Sequence, residues 1–248
     1  MFKLILFMLI PLTVKANDFL SWSQIKANAA SVGISTKAIS HVQCFLENYE
    51  ESTFNKKMLQ NQPDVCGKND HLEIGNRRTF TLIDYTKNSN HQRMYLVDRK
   101  TGKFSQMAVA HGRYEASFIN MISRKNKNTI LKAKYFSNDP GSNAPSSGFF
   151  ISGKEYVGKF GRSLALHGLE KNINDNACLR SVVIHKHKMV SNKNAYVMSS
   201  GCPMVSGDML GHVIEIMKES TSDRGGVVFI YGPREQEWAS DTCPVELI

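Results

Sequence analysis

Nowhere in this 248-residue chain does an apolar run reach the ~20 residues that span a bilayer. The longest, Leu4 to Val14, has signal-peptide length, follows Lys3 and ends in Val14-Lys-Ala16, small residues at cleavage spacing. The competing reading is a membrane anchor, for which the run is too short, so residues 1–16 are expected to be a secretory signal whose removal leaves no integral membrane segment. Acidic residues are scarce as well, 22 against 31 Lys and Arg, so the formal charge is +9. Loss of Lys3 and Lys15 with the signal leaves the mature chain basic. Such a surface suits an anionic cell wall or outer membrane as well as nucleic acid, and the export signal argues against nucleic acid as the working partner. The lysines are scattered, the pattern of a generally solvated surface.

Cysteine is infrequent, and its number, five, is odd. In the oxidising compartment to which an export signal leads, one cysteine is left free or pairs between chains. No carboxylate or second thiol stands at ligand spacing from His185, His187 and Cys202, so zinc is set aside and no metal is expected.

What is present is a stretch around which the chain is organised, Ser181-Val-Val-Ile-His185 and then Val197-Met-Ser-Ser-Gly-Cys202-Pro203. A β-branched run ending in His185 fits a buried strand that delivers an imidazole at its tip, and Ser-Gly-Cys-Pro must turn sharply. A thiol with an ordinary pKa near ~8.5 needs a base or cation beside it, and His185 can be both. Gly201 allows close backbone approach, and the N–H groups of Gly201 and Cys202 can point at the oxygen of a tetrahedral intermediate. The competing reading of these residues is half of a disulfide and a packed histidine.

The longer run decides between them: Gly161-Arg-Ser-Leu-Ala-Leu-His-Gly-Leu-Glu170, Asn174-Asp-Asn-Ala-Cys-Leu-Arg180, Val183-Ile-His185 and Ser199-Ser-Gly-Cys-Pro203. Upstream, in the same order, stand Tyr95-Leu-Val-Asp98, Val109-Ala-His-Gly112, Phe136-Ser-Asn138 and Ser146-Ser-Gly-Phe149. Over roughly residues 78 to 231 this resembles the murein L,D-transpeptidase catalytic domain family, a branch of the YkuD-like cysteine transpeptidases. Two departures stand out. Many YkuD-like enzymes carry His-Gly after the strand and Ser-His-Gly-Cys at the nucleophile, where this chain has Lys186 and Ser200. Ser200 fits the murein branch, whereas Lys186 and His187 leave the cleft wall open to question.

The resemblance implies a mostly β catalytic domain, sandwich-like or barrel-like, with flanking helices. Local patterns agree. Alternating runs at Thr79–Ile83, Arg93–Val97 and Phe104–Val109 predict strands, as do segments at Ile130–Phe136, Gly148–Ser152, Ser163–His167, Val182–His185 and Val227–Tyr231, with a helix from about Gly207 to Glu219. Before them, Phe19, Trp22, Ile25 and Ala29, then Ile39, Val42, Phe45 and Leu46 after a break at Gly33, have helical spacing, with Ser35-Thr36 as a cap. The expected organisation is therefore a signal at 1–16, a helical lead-in at 17–72 and the catalytic domain at 73–248.

By resemblance the activity is acyl transfer on peptidoglycan stem peptides, with Cys202 as nucleophile, His185 as acid and base, and no cofactor. Attack at the L-centre carbonyl of diaminopimelate expels D-alanine, and an amine acceptor then gives a 3-3 cross-link. Water as acceptor gives L,D-carboxypeptidase activity. Hydrolysis of wall cross-links or of a lipoprotein-wall link uses the same residues, and an inactive wall-binding protein is the alternative of another class. Arg180 is a candidate for binding a stem carboxylate bidentately. His167, Ser199 and Ser200 are further substrate-binding candidates. His111 matches a family segment without an assigned step. With Cys202 free, Cys44, Cys66, Cys178 and Cys243 allow three pairings, of which the local one is Cys44 with Cys66 and Cys178 with Cys243. The expected location is the periplasm or cell wall of a bacterium.

Overall fold

The structure, a computed structural model, describes residues 19–58, 64–114, 127–218, 224–233 and 247–248. The expected signal segment and Cys243 lie outside the described residues. Two helices open the chain, α1 (Trp22–Ser31) and α2 (Thr36–Tyr49). Ser21 caps α1 in a reciprocal box with Gln24, and the Ser35 hydroxyl accepts from the Ala38 amide at the head of α2. Gly33, at φ +70°, makes the break between them.

Eleven strands follow among the described residues: β1 (Thr53–Asn55), β2 (His71–Asp84), β3 (Met94–Asp98), β4 (Phe104–Met107), β5 (His111–Gly112), β6 (Gly148–Gly158), β7 (Gly161–Gly168), β8 (Val183–Lys186), β9 (Met198–Ser199), β10 (Met204–Val205) and β11 (Arg224–Tyr231). A third α-helix among the described residues, α3 (Gly207–Met217), lies between β10 and β11. The main sheet runs β10-β8-β7-β6-β11-β2-β3-β4, with β1 added to β2, and β5 pairs separately with β9. Just past β4, Ala110 exchanges backbone hydrogen bonds with Met204 of β10, at 2.8 and 3.4 Å. That bridge nearly closes the sheet into a barrel.

Period-2 alternation sorts the strand residues into two cores. Phe80 and Leu82, Tyr95 and Val97, Phe149 and Ile151, and Val227, Phe229 and Tyr231 join Ile25, Ile39, Val42, Phe45 and Leu46 of the two N-terminal helices. Ile83, Met94, Leu96, Phe150, Val228 and Ile230 point to the other face, where they meet Leu164, Leu166, Ile184 and Leu210, Val213 and Ile214 of α3. Both faces are covered, so the central strands carry nearly continuous apolar runs. The helical lead-in shares its core with the sheet. Even His41 on α2 is packed between Phe149 and Phe229, with ring centroids 5.3 and 5.0 Å away.

Two expectations are corrected. Ile130–Phe136 is not a strand. The Asn128 side chain accepts from the Lys134 and Tyr135 amides and donates to the Tyr135 and Gly112 carbonyls, so one amide group supplies the bonds that a partner strand would. The disulfide pairing is also different: Cys66 joins Cys178, 112 residues away. Cys44 is disulfide-bonded too, but not to Cys66. Loop-closure entropy grows only with the logarithm of length, so proximity in sequence is a weak guide to pairing.

Candidate active site

The turn after β9 carries the thiol. Ser199 Oγ donates to the Cys202 carbonyl at 2.6 Å and accepts from the Gly201 amide at 3.1 Å, a brace that closes the turn with Ser200 exposed and Gly201 buried. Gly201 has φ +119°. A Cβ there would meet the Ala144 carbonyl at 3.0 Å, so the position requires glycine twice over. Cys202 is the free cysteine among the described residues, and 9% of its surface is exposed.

His185 arrives on the neighbouring strand. Parallel pairing of β8 with β10 sets it opposite Met204, and its amide donates to the Pro203 carbonyl at 3.3 Å. Nδ1 stands 3.0 Å from the Lys186 carbonyl. A carbonyl can only accept, so Nδ1 carries the proton and Nε2 of the neutral ring is left as the base. Lys186 thus serves through its backbone, while its side chain runs out past Gly161 and Gly207. His187 turns away, its Nδ1 accepting from the Met189 amide at 3.2 Å.

Burial governs both reactive groups. It raises the Cys202 thiol, against the Val183 amide and the charges of Arg180 and Lys159, which favour the thiolate. It lowers the His185 imidazole, against the bond to Lys186. The resting pair is therefore neutral thiol and neutral imidazole, and Sγ contacts the Ser181 carbonyl at 3.4 Å.

The remaining sequence candidates divide. Ser200 Oγ accepts from Arg113 Nη2 at 2.9 Å at the edge of the turn. The Gly201 amide, expected as an oxyanion donor, donates to Ser199 Oγ. Arg180 lies beside Gly201, but its fork grips the segment from Ser137 to Ser146. His167 is 2% exposed and packed against Gly153. Burial, with the charge of Lys56, lowers its pKa to about 3, so it is a neutral packed ring rather than part of a cleft wall.

Three contributors escape a reading of the sequence. Phe160, at the tip of the β6–β7 hairpin, stacks on His185, and Lys159 beside it acts electrostatically on both His185 and Cys202. The signal was an aromatic residue 42% exposed between Gly158 and Gly161, where a hairpin needs none. His111, without a role in the sequence, is a buried relay: Arg93 Nη2 donates to its Nδ1 at 2.7 Å and its Nε2 donates to the Thr129 carbonyl at 2.9 Å. It fixes β5, whose Gly112 packs so closely on the nucleophile turn that a Cβ would stand 2.8 Å from Gly201 Cα.

Residues 50–231 match the L,D-transpeptidase catalytic domain. The chain belongs to that family. It has the mostly β, nearly closed fold expected of that family. No curated protein matches this family member significantly. Similar solved structures include the helical cell shape determining protein Pgp2 from Campylobacter jejuni, at 12% identity and TM-score 0.36 over 62% of this chain and 47% of that one. A Pgp2 variant gives 10%, 0.37, 79% and 56% for the same four quantities. Bd1075 from Bdellovibrio bacteriovorus gives 10%, 0.34, 62% and 48%. The chain thus spans about half the length of these structures, and likeness at this level carries nothing about activity.

Proposed function

We propose that this chain is a peptidoglycan L,D-transpeptidase that forms 3-3 cross-links through a thioester on Cys202. The observation that carries the reading is a free thiol in a braced glycine turn, beside a strand whose His185 has Nδ1 tied to the Lys186 carbonyl. Family membership supplies the substrate class, stem peptides.

In the proposed reaction His185 Nε2 takes the Cys202 proton as Sγ attacks the L-centre carbonyl of diaminopimelate in a tetrapeptide stem. The tetrahedral oxyanion is met by the Cys202 amide. Collapse breaks the bond to D-alanine, whose amine leaves with the proton from His185. An amine of a second stem then attacks the thioester, gives its proton to His185 and restores the thiol as the new amide forms. The acceptor amine is mostly protonated at neutral pH, so transfer should improve toward alkaline pH. The expected signal at residues 1–16, the helical lead-in at 17–72 and the domain at 73–248 belong to the same proposal. Export to the periplasm is supported by the Cys66–Cys178 disulfide, which persists in an oxidising compartment.

The test is mass spectrometry of muropeptides after purified protein is incubated with disaccharide-tetrapeptide. Released D-alanine with 3-3 dimers, both lost in Cys202→Ala, is the expected result. Tripeptide alone at every pH and acceptor concentration replaces transpeptidation with L,D-carboxypeptidation. Intact substrate with a chemically reactive Cys202 favours a different link, or a wall-binding role.

A further inference from the structure

The guanidinium of Arg180 joins two segments that are distant in sequence. Nη1 donates to the Ser137 carbonyl and to Ser146 Oγ, the latter at 2.7 Å. Nη2 donates to the Ala144 carbonyl at 2.8 Å and to Ser142 Oγ at 3.2 Å. Each Nη carries two hydrogens, so these four acceptors use all of them and only Nε–H remains. No parallel pair of donors is left for a substrate carboxylate.

The same group stands beside Gly201 of the turn that carries Cys202. Nη2 is 3.6 Å, and the Ala144 carbonyl it holds 3.0 Å, from the point that a Cβ on Gly201 would occupy. Arg180 itself stands one residue before Ser181, whose carbonyl contacts Cys202 Sγ. The charged or titratable groups around Sγ are Arg180, Lys159 on the hairpin, Tyr85 and Tyr156, with His185 on the adjacent strand and Asp139 as a counter-charge to Arg180. Arg180 is the cation built into the fold here. Lys159, on a hairpin tip, is the other.

We propose that Arg180 is a positioning residue of the thiol site: its fork fixes the Ser137–Ser146 segment over Gly201 and holds a cation beside the turn that carries Cys202. This role takes the place of the carboxylate binding that the sequence suggested. It rests on Cys202 being the nucleophile, and its alkylation readout needs no peptidoglycan, so that readout can fail while the transpeptidase reading stands. Burial opposes the thiolate, and the loss of a nearby cation should raise the thiol further.

The experiment is the pH dependence of Cys202 alkylation by iodoacetamide, followed by intact mass on the full mature chain. In Arg180→Gln the midpoint should move up by about one pH unit, so that alkylation at pH 7 falls roughly ten-fold. Arg180→Lys should keep the wild-type midpoint while turnover drops at least ten-fold, because an ammonium cannot span four acceptors in two directions. A wild-type midpoint in folded Arg180→Gln, with only KM raised, overturns the proposal in favour of carboxylate binding. If Arg180→Gln does not fold, Arg180→Lys decides: a raised midpoint, or full turnover, overturns it.

Discussion

Phe160 lies flat on His185, with ring centroids 4.1 Å apart and planes 14° from parallel. The imidazole is thus fixed on one edge by the Lys186 carbonyl and on one face by a ring from another strand pair. Phe160 is 42% exposed, so it contributes little to the core and its loss should act on the histidine. Phe160→Ala is expected to lower the acylation rate of Cys202 about ten-fold, while the change in stability stays below ~1 kcal/mol. Single-turnover acylation and thermal melting on the same sample decide it; an unchanged rate would show that the stack is incidental.

A carbapenem presents a strained carbonyl to the same thiol and should acylate Cys202. Intact mass should show one adduct, absent in Cys202→Ala. His185→Ala removes the base that receives the Sγ proton, and the rate should fall by about 10²-fold or more. An adduct at any other residue would remove the support for this site.

How far these features were legible beforehand follows from which interactions are local. Val183-Ile-His185 and Ser199-Ser-Gly-Cys202 mark a strand tip and a turn through residue types alone, and β3, β6 and β7 show in alternation. What stayed hidden depends on partners far along the chain. Asn128 replaces a partner strand for 134–135, a role its own neighbours do not announce. Arg180 looks like an available cation until Ser137, Ser142, Ala144 and Ser146 fold over it. His167 ends an alternating run as a cleft residue might, yet its ring is buried against Gly153 of the neighbouring strand. Phe160 meets His185 only because β7 pairs with β8 in a register that sets Ser163 opposite His185.

The Cys66–Cys178 disulfide pins the segment that supplies Arg180 and Ser181. Beside it, Lys57 pairs with Asp175 at 3.0 Å and Lys56 Nζ donates to the Cys66 carbonyl at 2.7 Å. A closed loop of this length restricts the unfolded chain strongly, by about 4–5 kcal/mol in the chain-entropy account. Cys66→Ser with Cys178→Ser should therefore lose several kcal/mol in urea unfolding. It should also lose more carbapenem acylation than Phe160→Ala at temperatures where it remains folded. Full acylation in the folded double variant would confine the bond to stability.

Stability should fall on acidification, because His41, His111 and His167, like His185, are buried neutral. Burial lowers His41 to about 4 and His111 and His167 to about 3, with Arg93 adding to the effect at His111. In the unfolded chain each binds a proton near pH 6.5, so below that pH protons favour unfolding, and the loss continues down to the folded values. At pH 5 the limit is roughly 2 kcal/mol per histidine. Glu170 works the other way: burial raises it to about 7, so its contribution is full below the unfolded value near ~4.5 and is lost as pH rises through 7. These histidines together outweigh Glu170 and predict a melting temperature that drops from pH 7 to pH 5. His41→Phe keeps a ring between Phe149 and Phe229 and removes one titration, so its melting temperature should fall less over the same interval. Equal wild-type melting temperatures at pH 7 and pH 5, or identical slopes for wild type and His41→Phe, would refute the assignment of acid sensitivity to these rings.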